Sequence, residues 1–160
     1  MIMSGRMRTM MFASLVVSLA SYGVVNGQTP ADARMTGVKK LSCTFSLMAI
    51  GTWKGGEPQA ETKSAVLTVE FDSVNVEEGT ARVVGASGPS DIVVRQAYGT
   101  LHFLQSFTAG PLYITTVFPK ETRNGRLQAV HTRHEYTDVS LPGYTSRPEQ
   151  YYGDCAVDRR

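Results

Sequence analysis

The sequence predicts an all-β protein, a single-domain antiparallel meander of about eight strands. Apolar and polar residues alternate with a period of two along most of the chain. Turn residues, mainly Gly, Pro and Asn, interrupt this alternation at near-regular spacing. The segments between turns are too short and too regular in their alternation for amphipathic helices, so an antiparallel sheet with short connections is expected.

Each predicted strand follows from its own alternation. In the first strand, Leu41, Cys43, Phe45, Leu47 and Ala49 form the apolar row, opposite Ser42, Thr44, Ser46 and Met48. Asn124-Gly125 predicts a hairpin turn, because both residues tolerate a positive φ. The predicted strands cover residues 41–49, 65–72, 80–84, 92–95, 101–105, 112–118, 126–137 and 151–157.

The N-terminal segment has the composition of a secretory signal peptide. Arg6 and Arg8 precede the apolar run Met10–Ala20, and small residues follow it. The run is short for a membrane span, although an uncleaved anchor is the alternative. The sequence therefore divides into a signal peptide (1–27), a flexible N-terminal arm (28–40) and a β-barrel domain (41–160), and predicts a secreted or periplasmic protein.

The charge balance argues against nucleic acid as a partner. The chain has 16 basic and 14 acidic residues, and the predicted signal peptide holds two of the arginines and no acid. The remaining domain is therefore close to neutral and contains no basic run. We expect a monomer with no membrane contact beyond export.

Two cysteines, Cys43 and Cys155, lie in the first and last predicted strands. Cysteines of exported proteins usually pair, which predicts a disulfide; two free buried thiols are the alternative. A disulfide brings both ends of the meander together. This favours a closed up-and-down barrel, which has no free edge, over a β-sandwich, although a sandwich could also satisfy the pairing.

Gly51-Thr52-Trp53 resembles the G-x-W signature of the calycins, the lipocalin-like and avidin-like barrels. Length, export, the meander and a single disulfide agree with that superfamily. The resemblance implies a lipocalin-like barrel with an internal pocket, and it makes Trp53 a candidate ligand contact. The calycin motif opens the first strand, whereas Trp53 follows a strand of about ten residues. No particular ligand is implied.

The run His131-Thr132-Arg133-His134-Glu135 contains two of the three histidines. Zinc peptidases use H-E-x-x-H on a helix, where both histidines share one face. Here the order is H-x-x-H-E on a predicted strand, so His131 and His134 point to opposite faces. The sequence therefore predicts no metal site and no cofactor.

His131 and Glu135 share a strand face with Arg133, which would allow an acid–base pair. A solvent-exposed outer row of ion pairs is the simpler interpretation. Val130 makes one face apolar, and Leu127 and Ala129 make the other apolar, so the sequence does not decide which row faces inward. A barrel enzyme, an isomerase or hydrolase using His131 with Glu135 or His102 with His134, is the alternative function.

The segment 141–152 combines prolines with tyrosines and an Arg/Glu pair. Tyrosine-rich loops at a barrel end are good recognition surfaces, and packing over the barrel end is the competing interpretation. Tyr144, Arg147 and Glu149 are its candidate binding residues. The sequence thus favours a protein that binds a small-molecule ligand or a protein partner over an enzyme. A structural or inhibitory interaction protein is a further alternative.

Overall fold

The computed structural model describes Met35 and residues 37–85, 88–108, 110–135 and 147–158. The predicted signal peptide, most of the predicted arm and Tyr144 lie outside the described residues. Within the described part, no helix is long and apolar enough to cross a membrane. All the elements in it are strands: β1 (Lys40–Lys54), β2 (Glu57–Asn75), β3 (Thr80–Gly85), β4 (Gly88–Ala97), β5 (Thr100–Ser106), β6 (Leu112–Glu121), β7 (Leu127–His134) and β8 (Glu149–Asp158).

The eight strands form one antiparallel sheet that closes into a ring. Each strand pairs with the next along the chain, and β8 pairs with β1 over Lys40–Ile50 and Glu149–Asp158. The predicted eight-stranded meander is confirmed. We call the end of the ring that carries the β1–β2, β3–β4, β5–β6 and β7–β8 connections the upper end, and the opposite end the lower end.

Within the described sheet, the pairing of β2 with β3 is confined to the lower end of the ring. There β2 pairs with β3 over Glu70–Asn75. The earlier part of β2, residues 57–69, pairs within the described sheet only with β1. The tips of β1 and β2 therefore extend as a two-stranded ribbon whose side chains from 54 to 64 are all exposed.

The lower half of the ring encloses the apolar core. Phe71 stacks on Phe103 with ring centroids 4.2 Å apart, next to buried side chains from every strand. Cys43 and Cys155 face each other across β1 and β8, with Cα atoms 3.9 Å apart, and form a disulfide. The predicted disulfide is confirmed. Met35 and Val38, which belong to the predicted arm, are fully buried in this core.

An irregularity in β1 changes the side-chain pattern from the predicted one. The register of β1 against β8 shifts between Phe45 and Leu47, so Ser46 is an extra residue. One extra residue reverses the faces of everything after it. Leu47, predicted to lie in the apolar row, is therefore 44% exposed, whereas Ile50 is buried.

Gly153 lies opposite this irregularity, at the closest approach of β8 to β1. It pairs with Phe45. A Cβ atom at residue 153 would lie 2.0 Å from the carbonyl oxygen of Thr44 and 2.6 Å from the Cα of Phe45. Only glycine fits this backbone contact, which fixes the register of β8 above the disulfide.

Candidate functional site

Three adjacent strands place polar side chains on the inner face of the upper end. Along β7, buried Leu127, Ala129 and His131 alternate with half-buried Gln128, Val130 and Thr132, which identifies the inner row. The pairing of β6 with β7 and of β7 with β8 then places the inner residues of the three strands side by side. We call the resulting group the upper cluster: Tyr113, Thr115, His131, Arg133, Glu135, Glu149 and Tyr151.

His131 is almost completely enclosed in the upper cluster, with 4% of its surface exposed. Its ring lies 5.7 Å from that of Phe45, 5.8 Å from Tyr113 and 5.9 Å from Tyr151, measured between centroids. Burial, reinforced by the charge of Arg133, lowers the pKa of His131 from 6.5 to about 4. His131 is therefore neutral at pH 7.

The hydrogen bonds of His131 determine its tautomer. Arg133 donates from Nε to Nε2 of His131 over 3.4 Å. An arginine can only donate, so Nε2 accepts and the ring proton is on Nδ1. Nδ1 then donates to Oγ1 of Thr115 over 2.8 Å. The imidazole is thus held at both nitrogens by side chains of its own strand and of β6.

Arg133 lies between two tyrosine rings. Its Cζ atom is 5.2 Å from the centroid of Tyr113 on one side and 5.2 Å from that of Tyr151 on the other. Both distances are within the range of cation–π attraction. The two rings stabilise the guanidinium and limit its rotation, so among the described residues its position does not depend on a carboxylate partner.

The hydroxyl group of each tyrosine donates a hydrogen bond to one of the two carboxylates of the upper cluster. Tyr113 donates to Oε1 of Glu135 over 2.5 Å, and Tyr151 donates to Oε2 of Glu149 over 2.5 Å. Burial and the hydrogen bond to Glu149 raise the pKa of Tyr151 to about 12. Phe107, from the β5–β6 connection, packs edge-on against Tyr113 at 4.9 Å.

Arg133 and Glu149 are opposite each other in the register of β7 and β8. Cross-strand neighbours of opposite charge usually pair. Here the guanidinium is engaged by His131 and the tyrosine rings, and the carboxylate by Tyr151. Among the described residues, no Arg133 nitrogen and carboxylate oxygen approach within 4.0 Å. The site thus presents two opposite charges that are close and not joined.

The predicted site residues are distributed over the molecule. Glu149 belongs to the upper cluster. Arg147 is exposed and lies two residues before β8, with Nη1 4.0 Å from Oε1 of Glu61. Trp53 lies on the exposed ribbon and is 58% exposed. Tyr144 lies outside the described residues.

The candidate acid–base residues also differ in location. His131 and Glu135 both belong to the inner row, but four residues of extended chain separate their Cα atoms by roughly 13 Å. His102 accompanies Thr116 on the outer face, with Nδ1 3.2 Å from its Oγ1. His134 is exposed at the upper end, where it pairs with Leu112. Leu112 is four residues along β6 from Thr116, the residue that pairs with His102. The structure does not bring His102 and His134 together.

Tyr113, Thr115 and Tyr151 were not singled out from the sequence. Leu127 and Ala129 continue the row of His131 and Arg133, but Val130 makes the opposite face apolar as well, so the alternation along β7 did not identify the inner row. The cross-strand neighbours of that row can be assigned only when the register of β7 against β6 and β8 is known. No group of three or more His, Cys, Asp or Glu residues that could hold a metal ion occurs among the described residues.

Comparison with protein-family models, with curated proteins and with solved structures finds no match to this chain. The inference of function therefore rests on the geometry of the upper cluster.

Proposed function

We propose that the protein is an exported binding protein that holds a small ligand against the upper cluster. The observation that carries this proposal is the polar composition of the inner face at one end of a ring that is otherwise filled with apolar side chains. Enclosing charged groups costs free energy, and an apolar filling would stabilise the ring more. A site for a ligand gives these residues a function that packing does not.

The arrangement of the upper cluster supports binding. Two tyrosines and Phe107 provide aromatic surface with little side-chain entropy to lose. The hydrogen bonds of Thr115, His131 and Tyr151 hold the surrounding side chains in fixed positions. Preorganised groups of this kind reduce the entropic cost of binding a ligand.

The protonation state of His131 favours binding over acid–base catalysis. A general base acts best with a pKa near the working pH, and the pKa of His131 is about 4. Its two nitrogens are also occupied, one by Thr115 and the other by Arg133. His131 therefore serves to position Arg133 in the proposed site.

The proposal includes a closed, lipocalin-like barrel and export from the cytoplasm. Closure of the meander through β1 and β8 supports the barrel, together with the resemblance of Gly51-Thr52-Trp53 to the calycin signature. The Cys43–Cys155 disulfide and the predicted signal peptide support export. Amino-terminal sequencing of the exported protein tests this part. A start near Gln28 is expected, and retention of residues 1–27 in the exported protein would contradict it.

Two neighbouring tyrosines of β8 provide the test of the binding site. Tyr151 faces the upper cluster, whereas Tyr152 is 40% exposed on the outer face and donates to Gln150. Native mass spectrometry of the protein with a mixture of small metabolites should reveal a bound species. Tyr151→Phe should weaken its affinity by at least about tenfold, since hydrogen bonds to charged groups are worth about 1.5–3 kcal/mol.

Tyr152→Phe is the matched control and should bind as the wild-type protein does. The proposal is refuted if no small molecule binds. Equal affinities of the two variants would place the site away from the upper cluster.

A further inference from the structure

We propose that the ligand of the upper cluster is a small zwitterion of the amino-acid type, whose carboxylate binds Arg133 and whose ammonium group binds Glu149. This inference rests on the proposed function and names the ligand class for the same site. It is based on the two opposite charges that face each other across β7 and β8 without an ion pair.

The guanidinium of Arg133 has unused hydrogen-bond donors. Within the described residues it makes one hydrogen bond, from Nε to His131. Its two Nη groups carry four further N–H donors in one plane, and Arg133 is only half-buried, so they are accessible. The flanking rings of Tyr113 and Tyr151 fix that plane. A planar donor pair of this kind matches the two oxygens of a carboxylate.

Glu149 has unused acceptor capacity beside it. Tyr151 donates to Oε2, and Oε1 accepts no hydrogen bond from the part of the chain that the structure describes. The residue is half-buried, so a ligand can approach the free oxygen. An ammonium group offers three donors and carries the charge that a carboxylate attracts.

The charges and the unused hydrogen-bond donors of the upper cluster together favour a zwitterion over a simple acid or a simple amine. The upper cluster contains one cation, Arg133, and two carboxylates, Glu135 and Glu149, while His131 is neutral at pH 7. A lone carboxylate on Arg133 would be repelled by both glutamates, and a lone amine beside Glu149 would leave the Nη donors of Arg133 unused by the ligand. A molecule with both groups pairs with Arg133 and with Glu149 at the same time.

Cross-strand geometry limits the size of the ligand. Opposite residues of an antiparallel pair have Cβ atoms about 5 Å apart. The two charges of the ligand must therefore be separated by few bonds, as they are in an α-amino acid. The rings of Tyr113, Tyr151 and Phe107 offer contact area for an apolar side chain.

Calorimetric titration with matched ligands tests the inference. The standard amino acids are titrated first, and the tightest is then compared with its carboxamide, which keeps only the ammonium charge, and with its des-amino acid, which keeps only the carboxylate. We expect the amino acid to bind at least tenfold more tightly than either analogue. Equal or tighter binding of one analogue, or no binding of any amino acid, overturns the inference.

Two variants assign each charge to its residue. Glu149→Gln should reduce the preference for the amino acid over the des-amino acid at least fivefold, and Arg133→Gln should do the same relative to the carboxamide. Arg123→Gln, in the exposed turn at the lower end, is the control and should leave both ratios unchanged. Thermal unfolding of each variant confirms that the ratios are measured on folded protein. A change in a ratio then cannot be caused by a general loss of stability. Unchanged ratios in both variants refute the assignment.

The outcomes separate this inference from the proposed function. If another class of small molecule binds and Tyr151→Phe weakens it, the binding site stands and the zwitterion is wrong. If nothing binds, both the proposed binding function and the zwitterion are refuted.

Discussion

Replacing His131 with Asn should remove most of the dependence of stability on pH between about 6.5 and 4. His131 is 4% exposed, and its pKa in the folded protein is about 4 instead of 6.5. The unfolded chain therefore binds a proton at a higher pH than the folded protein does. Between these two values the unfolded state holds more protons, so the free energy of unfolding falls as the pH is lowered.

The size of this effect follows from the shift in pKa. One pKa unit corresponds to about 1.4 kcal/mol, so the full loss for His131 is about 3 kcal/mol. The contribution is negligible above pH 6.5, develops as the pH falls, and is complete below about pH 4. Asp72, whose pKa is lowered by its hydrogen bond to Arg82, adds its own loss only below pH 3.8. The window above pH 4.5 therefore reports mainly on His131.

Urea unfolding at several pH values between 7.5 and 4.5 measures this loss. The wild-type protein should lose about 2–3 kcal/mol over that range, and His131→Asn should lose much less, whatever its stability at pH 7.5. His134→Asn is the matched control, because His134 is on the same strand and exposed. It should keep the wild-type slope. Equal slopes for the wild-type protein and His131→Asn would refute the burial of a neutral histidine.

Three further predictions concern the framework. Reduction of the Cys43–Cys155 disulfide, which closes a loop with a sequence separation of 112, should lower the melting temperature, with a cost of at most about 4–5 kcal/mol. An unchanged melting temperature would show that the disulfide does not form. Gly153→Ala should destabilise the protein strongly because its Cβ meets the β1 backbone, whereas Gly51→Ala, with nothing within 4 Å, should be tolerated; urea midpoints compare them. Phe103→Ala should cost about 3–5 kcal/mol by the same assay, and a cost below 1 kcal/mol would contradict its place in the core.

Much of the fold was predictable because a half-buried strand has one apolar face and one polar face, which appear in the sequence as an alternation of apolar and polar residues. Phe71 and Phe103 lie in the predicted strands 65–72 and 101–105, where they alternate with more polar residues, and both are in the core. The exception in β1 arises from Ser46. An inserted residue changes no composition and no local propensity, so the alternation at Leu47 was assigned to the wrong face.

The start of β2 was not predictable for a different reason. Glu57–Ser64 is polar on both faces, because the ribbon that it forms with β1 is exposed on both faces. No alternation exists there to detect. The strand follows only from its pairing with β1, which is a property of two segments together.

The candidate site was predictable in part. The row of His131, Arg133 and Glu135 follows from period two alone, and the structure places that row inside the ring. Its partners Tyr113 and Tyr151 come from strands separated from β7 by turns or by a long connection, so their register depends on the closed sheet. The shifted pKa of His131 likewise depends on enclosure by three strands, which no local pattern encodes.

The most direct test of the account is a crystal structure of the protein with its tightest-binding amino acid. We predict density for the ligand on the inner face at the upper end, with its carboxylate on the Nη groups of Arg133 and its ammonium group on Glu149. A ligand on the outer face or on the ribbon, or Arg133 and Glu149 joined to each other in the presence of saturating ligand, would contradict the account.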